Sequence, residues 1–426
     1  MGKSIIEKII VNHTTEEVTP GNIVWMEIDV RSARDFGGAN VVKNLEKYYP
    51  NEQQIADPLK TFFTFDCVVP AKTIGYAENQ HIARVFAREN LPPEHLYDVD
   101  AGIGSHVMIE KGIAVPGTTV VGTDSHLNIL GAIGSFGQGM GDQDIAFAFK
   151  TGKTWFEVPE SMQITINGNP APVSSAKDVT LGVIQQIGSK RALGKAIEFY
   201  GSTVESLDLA GRITLASMVT EMGGIIGLIP PNDQVVQFCK ERSGLEFPMY
   251  ESDPDVEYSE RLEFDFSDLE PLIALPPSPT NVKPVAEVTG TPVDSVVVAS
   301  CTNGRYEDIL IVAKMLKNKK IHPSVMMKIV PATKEVYGHL LKDGLISILY
   351  EAGAIITNPG CGGCAAGQIG MTGKGEVQIS TGNRNFAGKQ GAGDTYLASP
   401  ATATAAALAG EISVPTYKKE VIEVFE

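Results

Sequence analysis

The strongest constraint on this chain is where its apolar β-branched runs stop. Val296-Val297-Val298-Ala299 ends at Ser300-Cys301-Thr302-Asn303. Ala354-Ile355-Ile356-Thr357 runs into Asn358-Pro359-Gly360-Cys361-Gly362-Gly363-Cys364. Val377-Gln378-Ile379-Ser380 is followed by Gly382-Asn383-Arg384-Asn385. Short apolar runs bounded by turn residues are the pattern of buried strands. Helical segments over 308–316 and 335–351 separate them. Strand–helix–strand order folds as a parallel sheet, and such sheets place ligands beyond the carboxyl ends of their strands. The fold class is α/β, and three thiols and one arginine converge at one sheet edge.

Three thiolates suit a soft metal centre. An electron-transfer cluster takes four cysteine ligands. Three would leave one iron of a [4Fe–4S] cluster open to substrate, where it acts as a Lewis acid. Three cysteines without a common role, or three that hold zinc, are the competing readings. Metal analysis separates them, since zinc is distinct from iron with sulfide.

Composition narrows the setting. At 426 residues the chain is long enough for two or three domains with full cores. A net charge of −16 argues against a nucleic-acid surface, which needs a basic patch. It leaves room for a small anionic substrate, because a few local cations dominate a cleft. The five cysteines, Cys67, Cys239, Cys301, Cys361 and Cys364, are an odd, sparse set that fits a reducing compartment. Charges interrupt the first residues, so no secretory apolar core is expected there. No apolar run approaches membrane-spanning length. A cytoplasmic protein without a membrane partner is the expectation.

Along the chain, Ile5–Val11 reads as a short helix and 23–30 as a strand. Arg31 to Asn40 holds Arg34, Asp35 and two glycines, which by itself reads as a plain glycine loop between strand and helix. Segment 62–69 is apolar and carries Asp66-Cys67, and 79–88 reads as a helix. Thr119–Gly122 reads as a strand ending at Asp124-Ser125-His126. Gly137-Gln138-Gly139-Met140-Gly141 has the wrong spacing for a dinucleotide loop, so close packing is expected there. Segment 162–166 with Asn167-Gly168-Asn169 suggests a hairpin. Segments 180–187, 192–200 and 214–222 read as helices, the last carrying Glu221. The proline-rich stretch 271–284 reads as a linker. The expected division is 1–283 and 284–426, with an alanine-rich helix over 401–409.

Ser300-Cys301-Thr302-Asn303, the later Cys-x-x-Cys pair, Gly382-Asn383-Arg384-Asn385-Phe386 and Gly122-Thr123-Asp124-Ser125-His126 together resemble the motifs of the aconitase superfamily. The likeness runs from Ile5 to Glu411. It is strongest toward the large subunits of isopropylmalate dehydratases and homoaconitases. The resemblance implies aconitase-like three-layer α/β/α domains around an iron–sulfur site. Domains 1 and 2 would be intertwined over 1–283, and domain 3 would carry the cluster over 284–426. It implies a hydro-lyase acting on a 2-hydroxy di- or tri-carboxylic acid. Cys301, Cys361 and Cys364 would hold the [4Fe–4S] cluster. Asp66, His106, Asp124, His126 and Glu221 would serve catalysis, with His126 paired to Glu221. Ser125, Asn383, Arg384 and Lys389 would bind substrate. The segment from Arg31 to Asn40 would approach the substrate, the second reading beside the plain glycine loop. A separate small, swivelling-domain subunit is also implied, because the chain ends soon after 401–409.

Four positions depart from that pattern. Relatives carry Asp-His where this chain has Asp66-Cys67, and His-Gln where it has Ser105-His106. Relatives have an asparagine at Ser217 and an arginine at Lys389. Lysine keeps the charge but loses the planar fork. Cys67 is either a fourth soft ligand or a buried thiol. Intact cysteines beside altered acid/base positions point to a retained cluster with a different substrate or proton path. A binding or regulatory protein that keeps the fold is the alternative.

Overall fold

The computed structural model describes residues 2–50, 55–364 and 369–416, with Cys364 described in its backbone only. Among these residues, three sheets form the frame. The first is fully parallel, in the order Leu96–Tyr97, Thr61–Thr64, Val30–Arg34, Thr119–Gly122, Phe136–Gly139. The second is also parallel: Ile226–Leu228, Ala196–Tyr200, Ser161–Asn167, Glu260–Asp265. The third runs Val282–Pro284, Leu272–Ala274, Asp394–Ala398, Val377–Ser380, Ser295–Val298, Met326–Ile329, Ile355–Ile356. Its last five strands are parallel, and its first two form an antiparallel edge.

The valine run forms a strand because both faces of its sheet are covered, and Val296, Val297 and Val298 are all buried. Helices Tyr306–Leu316, Lys334–Lys342, Leu345–Ala352 and Pro400–Ala409 supply that cover. Polar residues inside the sheet are satisfied. Gln378 accepts from Ser295 Oγ at 2.7 Å and donates to Gln390 at 3.0 Å. Each sheet has its own apolar core. A fourth core lies between the first and third sheets and contains both Cys301 and Cys361. Among the described residues no helix is long and apolar enough to cross a membrane.

Several expectations need correction. Segment 192–200 is not helical: Ala196–Tyr200 is a central strand with Ile197 and Phe199 fully buried. Tertiary burial overrode a weak local periodicity. Asn167-Gly168-Asn169 does not close a hairpin. Gly168 uses φ +98° to turn the chain toward the helix Ala176–Ile187, and Ser161–Asn167 pairs only in parallel. The stretch read as a linker is itself structured. Its residues Leu272–Ala274 and Val282–Pro284 form a hairpin on the third sheet, which thus begins before the boundary expected near Lys283. The helix expected over 335–351 is two, broken at Gly344 with φ +70°. Helix Leu209–Ser217 tightens into a 3₁₀ turn, Met218–Met222, which carries Glu221.

Candidate active site

The carboxyl ends of the first and third sheets face each other. The Cys361 amide donates to the Asp66 carbonyl at 2.9 Å, and the Ile103 amide to the Ala332 carbonyl at 2.8 Å. Into this seam the third sheet delivers Cys301 after Ser295–Val298, Cys361 after Ile355–Ile356, and Asn383 and Arg384 after Val377–Ser380. The first sheet delivers Arg34 and Asp35, Asp66 and Cys67, and Asp124 to His126.

The cysteine loops are tightly built. Ser300 adopts φ +84°, a left-handed conformation that costs a non-glycine residue energy and that clusters at functional sites. Its Oγ donates to Asn383 Oδ1 at 2.7 Å. Cys301 Sγ donates to the same oxygen at 3.3 Å, and Asn383 Nδ2 donates to Ser217 Oγ at 2.9 Å. Ser217 Oγ in turn lies 3.4 Å from Cys301 Sγ. Gly362 has φ +63°, and a Cβ there would stand 2.8 Å from that of Ala299. The turn Gly362–Cys364 therefore packs directly on the Cys301 loop. The Cys364 side chain lies outside the described residues. Cys301 and Cys361 are both buried, and their soft donors share one core.

Arg34 is the hub of the opposite wall. Its Nε donates to Asp66 Oδ1 at 2.7 Å, its Nη1 to Asp124 Oδ1 at 2.7 Å and its Nη2 to Cys361 Sγ at 2.6 Å. Burial pushes Asp66 up to about 6, with Asp35 and Asp124 adding to the rise and Arg34 opposing it. Burial also works against Asp124, yet Arg34 and the neighbouring His126 hold it below the usual carboxylate range. Asp35 fixes the loop beside them. Its carboxylate accepts the amides of Asp66, Cys67 and Val68 at 3.0, 2.9 and 3.0 Å.

His126 and Glu221 meet as the family resemblance implies, Nε2 to Oε1 at 3.2 Å. Arg384 Nε donates to the same Oε1 at 2.7 Å. Among the described residues Glu221 Oε2 is buried without a partner. Ser125 is exposed, with its Oγ 3.4 Å from His126 Nδ1. Lys389 is half-buried in the loop after Arg384, its amide bonded to the Phe386 carbonyl at 2.9 Å.

His106 does not join this group. It lies on the buried helix Gly104–Glu110, where both ring nitrogens are committed. Nε2 donates to the Cys301 carbonyl at 3.0 Å, and Nδ1 accepts from Arg305 at 3.3 Å. Burial, then Arg305, pushes its pKa down to about 3, so the ring stays neutral. It braces the Cys301 loop and has no proton to give. Ser105, beside it, keeps a buried Oγ without a partner among the described residues. Behind His106, Glu110 accepts from Thr333 Oγ1 at 2.9 Å, and burial pushes it up to about 7. The folded chain thus holds this proton over a range where the unfolded chain has lost it. Stability contributed by Glu110 is lost as pH rises through about 4.5 to 7, and Glu110→Gln flattens that decline by on the order of 2 kcal/mol. Urea titrations at pH 5 and pH 8 check it.

Arg34 was named in sequence reasoning only as part of a segment with two open readings, although it stands at a strand end as the cysteines do; Lys177 was missed. Lys177 gave no signal, since a lysine in a helical stretch reads as surface. It is fully buried, with Nζ donating to the carbonyls of Thr381 and Gly382 at 3.0 and 2.7 Å. It thereby anchors the loop that presents Asn383 and Arg384.

The family model for the aconitase family (aconitate hydratase) matches residues 7–292 and 281–410. A 3-isopropylmalate dehydratase large subunit 1 from Methanopyrus kandleri is 43% identical, over 97% of this chain and 99% of its own length. The corresponding large subunit from Aquifex aeolicus is 40% identical, over 97% of each chain. A chain from Methanothermobacter thermautotrophicus named "Probable methanogen homoaconitase large subunit" is 42% identical, over 97% of each. The crystal structure of Thermococcus kodakaraensis aconitase X (holo-form) aligns with TM-score 0.51 at 11% identity, over 84% of both chains, a likeness of fold. With matches of this extent, the chain belongs to the aconitase family and is a hydro-lyase similar to the large subunits of 3-isopropylmalate dehydratase.

Proposed function

We propose that this chain is the large subunit of a [4Fe–4S]-dependent dehydratase that moves a hydroxyl group on a small 2-hydroxy di- or tri-carboxylic acid, of which 3-isopropylmalate is the first candidate. Cys301, Cys361 and Cys364 would hold the cluster. The paired thiols in one buried core, with Glu221 Oε2 unpartnered in the same seam, fit such a group. When bound, the cluster supplies Lewis acidity toward the hydroxyl. The chain's own groups do the rest. His126, held by Glu221, is the one imidazole of the seam with a catalytic geometry, and it carries the proton for the leaving hydroxyl. Arg384 binds a substrate carboxylate, and Lys389 adds charge behind it. Arg34 is saturated by Asp66 and Asp124, so it sets the field of the site. The observation that carries this reading is the convergence of Cys301, Cys361, Glu221, His126 and Arg384 where two parallel sheets face each other.

A small subunit completes the site. Phe36 and Phe386 are 73% and 48% exposed beside Asp35 and Asn385, an apolar rim that suits a covering partner. The relatives' designation as large subunits agrees. A hydroxy acid other than 3-isopropylmalate is favoured by one observation: Cys67 and Ser105 replace two polar rings, and His106 does not compensate. An odd, sparse set of cysteines suits the cytoplasm.

The test is anaerobic reconstitution with a co-expressed small subunit, followed by assay over a panel of 2-hydroxy di- and tri-acids. Iron and sulfide are taken up together, and Cys361→Ser removes both the cluster absorption and turnover. Stoichiometric zinc without sulfide would overturn the reading.

A further inference from the structure

Cys67 has no part in the site as described, yet it is held in register with one of its thiols. It lies in the loop after Thr61–Thr64, on the sheet opposite Cys361, and both thiols border one ion pair: Arg34 donates from Nη2 to Cys361 Sγ at 2.6 Å and from Nε to Asp66 Oδ1 at 2.7 Å, the oxygen that also accepts from the Cys67 thiol. Its amide is pinned by Asp35 at 2.9 Å, and its Sγ donates to Asp66 Oδ1 at 3.4 Å. The Cys361 amide donates to the Asp66 carbonyl at 2.9 Å. That carbonyl belongs to the peptide just before Cys67, so one hydrogen bond separates the two backbones. A disulfide requires Cα atoms within about 7 Å, and this contact holds them inside that limit. Asp66 Oδ1 accepts the Cys67 thiol proton, and the Cys67 and Cys361 backbones meet across one hydrogen bond. Cys67 is therefore placed as a partner for Cys361 rather than as a fourth cluster ligand.

We propose that Cys67 and Cys361 form a reversible disulfide in the metal-free protein, closing the sulfur site to metal. The second half of this statement rests on the reading that Cys361 holds the cluster. A hydroperoxide is the oxidant. The Cys361 thiolate attacks one peroxide oxygen, the O–O bond breaks, and Cys361 is left as sulfenic acid with release of an alcohol or water. Cys67 sulfur then attacks the Cys361 sulfur and displaces hydroxide. Asp66 Oδ1, already accepting from the Cys67 thiol, takes the proton, which leaves with the hydroxide as water. Two thiols and one hydroperoxide give one disulfide, one alcohol or water, and one water. The two electrons lost by the sulfurs are those that cleave the O–O bond. A thiol reductant reverses the step by exchange.

The experiment uses the full chain, stripped of metal by chelation under argon and exposed to one equivalent of hydrogen peroxide. Non-reducing peptide mapping is expected to find Cys67 linked to Cys361. The link is absent from Cys67→Ser and Cys67→Ala, and dithiothreitol removes it. Iron and sulfide uptake is lost in the oxidised wild type and is regained after dithiothreitol. A map showing no link, or Cys361 joined to Cys364 or Cys301 instead, overturns the proposal. If the link forms and reduced protein still takes up no iron, the disulfide stands and the cluster reading falls.

Discussion

Replacing Glu221 by glutamine lowers kcat by about 10²- to 10⁴-fold, the usual contribution of a positioned acid or base, and leaves iron content unchanged. Glutamine is isosteric, so the turn Met218–Met222 keeps its packing. Three contacts change. Oε1 holds both His126 Nε2 and Arg384 Nε, and a neutral amide oxygen holds them less strongly. Oε2 is buried with no donor, which costs about 1–3 kcal/mol until something donates to it. A substrate hydroxyl or water is the group that would do so. Glutamine presents an NH₂ there and cannot accept. Steady-state kinetics with iron and sulfide analysis on the same samples separate chemistry from cluster loss. A kcat within ten-fold of wild type at full iron content would place the proton path elsewhere.

The cysteine-bearing strands were legible because parallel strands covered on both faces must be apolar throughout, and a loop that follows such a strand has nowhere to go but the sheet edge. That argument located Cys301, Cys361, Asn383 and Arg384 correctly. It would have located Arg34 too, had the strand Val30–Arg34 been separated from Ile23–Glu27. Ala196–Tyr200 was misread because Glu198 sits mid-strand, fully buried. It is satisfied by the Ile5 amide at 2.7 Å and the Ser252 hydroxyl at 2.6 Å, partners that no local window contains. His106 was misplaced for a geometric reason. It follows Ser105 on a helix, where one residue turns the side chain by about 100°. The ring thus points behind the Cys301 loop instead of into the seam. Lys177 was invisible because its partners are carbonyls some two hundred residues away.

Arg34→Met destabilises the chain by about 3–5 kcal/mol at pH 8, the cost of leaving buried charge without its counter-ion. Arg34 lies between Asp66 and Asp124, whose side chains are 0% and 6% exposed. Methionine fills the stem and removes the fork, so the two buried carboxylates are left without the cation between them. Both then rise, because the guanidinium is what opposes burial at Asp66 and what holds Asp124 down. A folded-state pKa above the unfolded value means that the folded variant binds protons the unfolded chain has released. Its deficit therefore shrinks as pH falls and widens as pH rises. Urea unfolding of wild type and variant at pH 5.5 and pH 8 reads this directly. Adding Asp124→Asn removes one of the two charges and recovers part of the loss, a non-additivity expected of residues in direct contact. Equal deficits at both pH values, with the second substitution simply adding its own cost, would mean that Arg34 acts through its aliphatic stem. The charge balance of the seam would then have to lie with other groups.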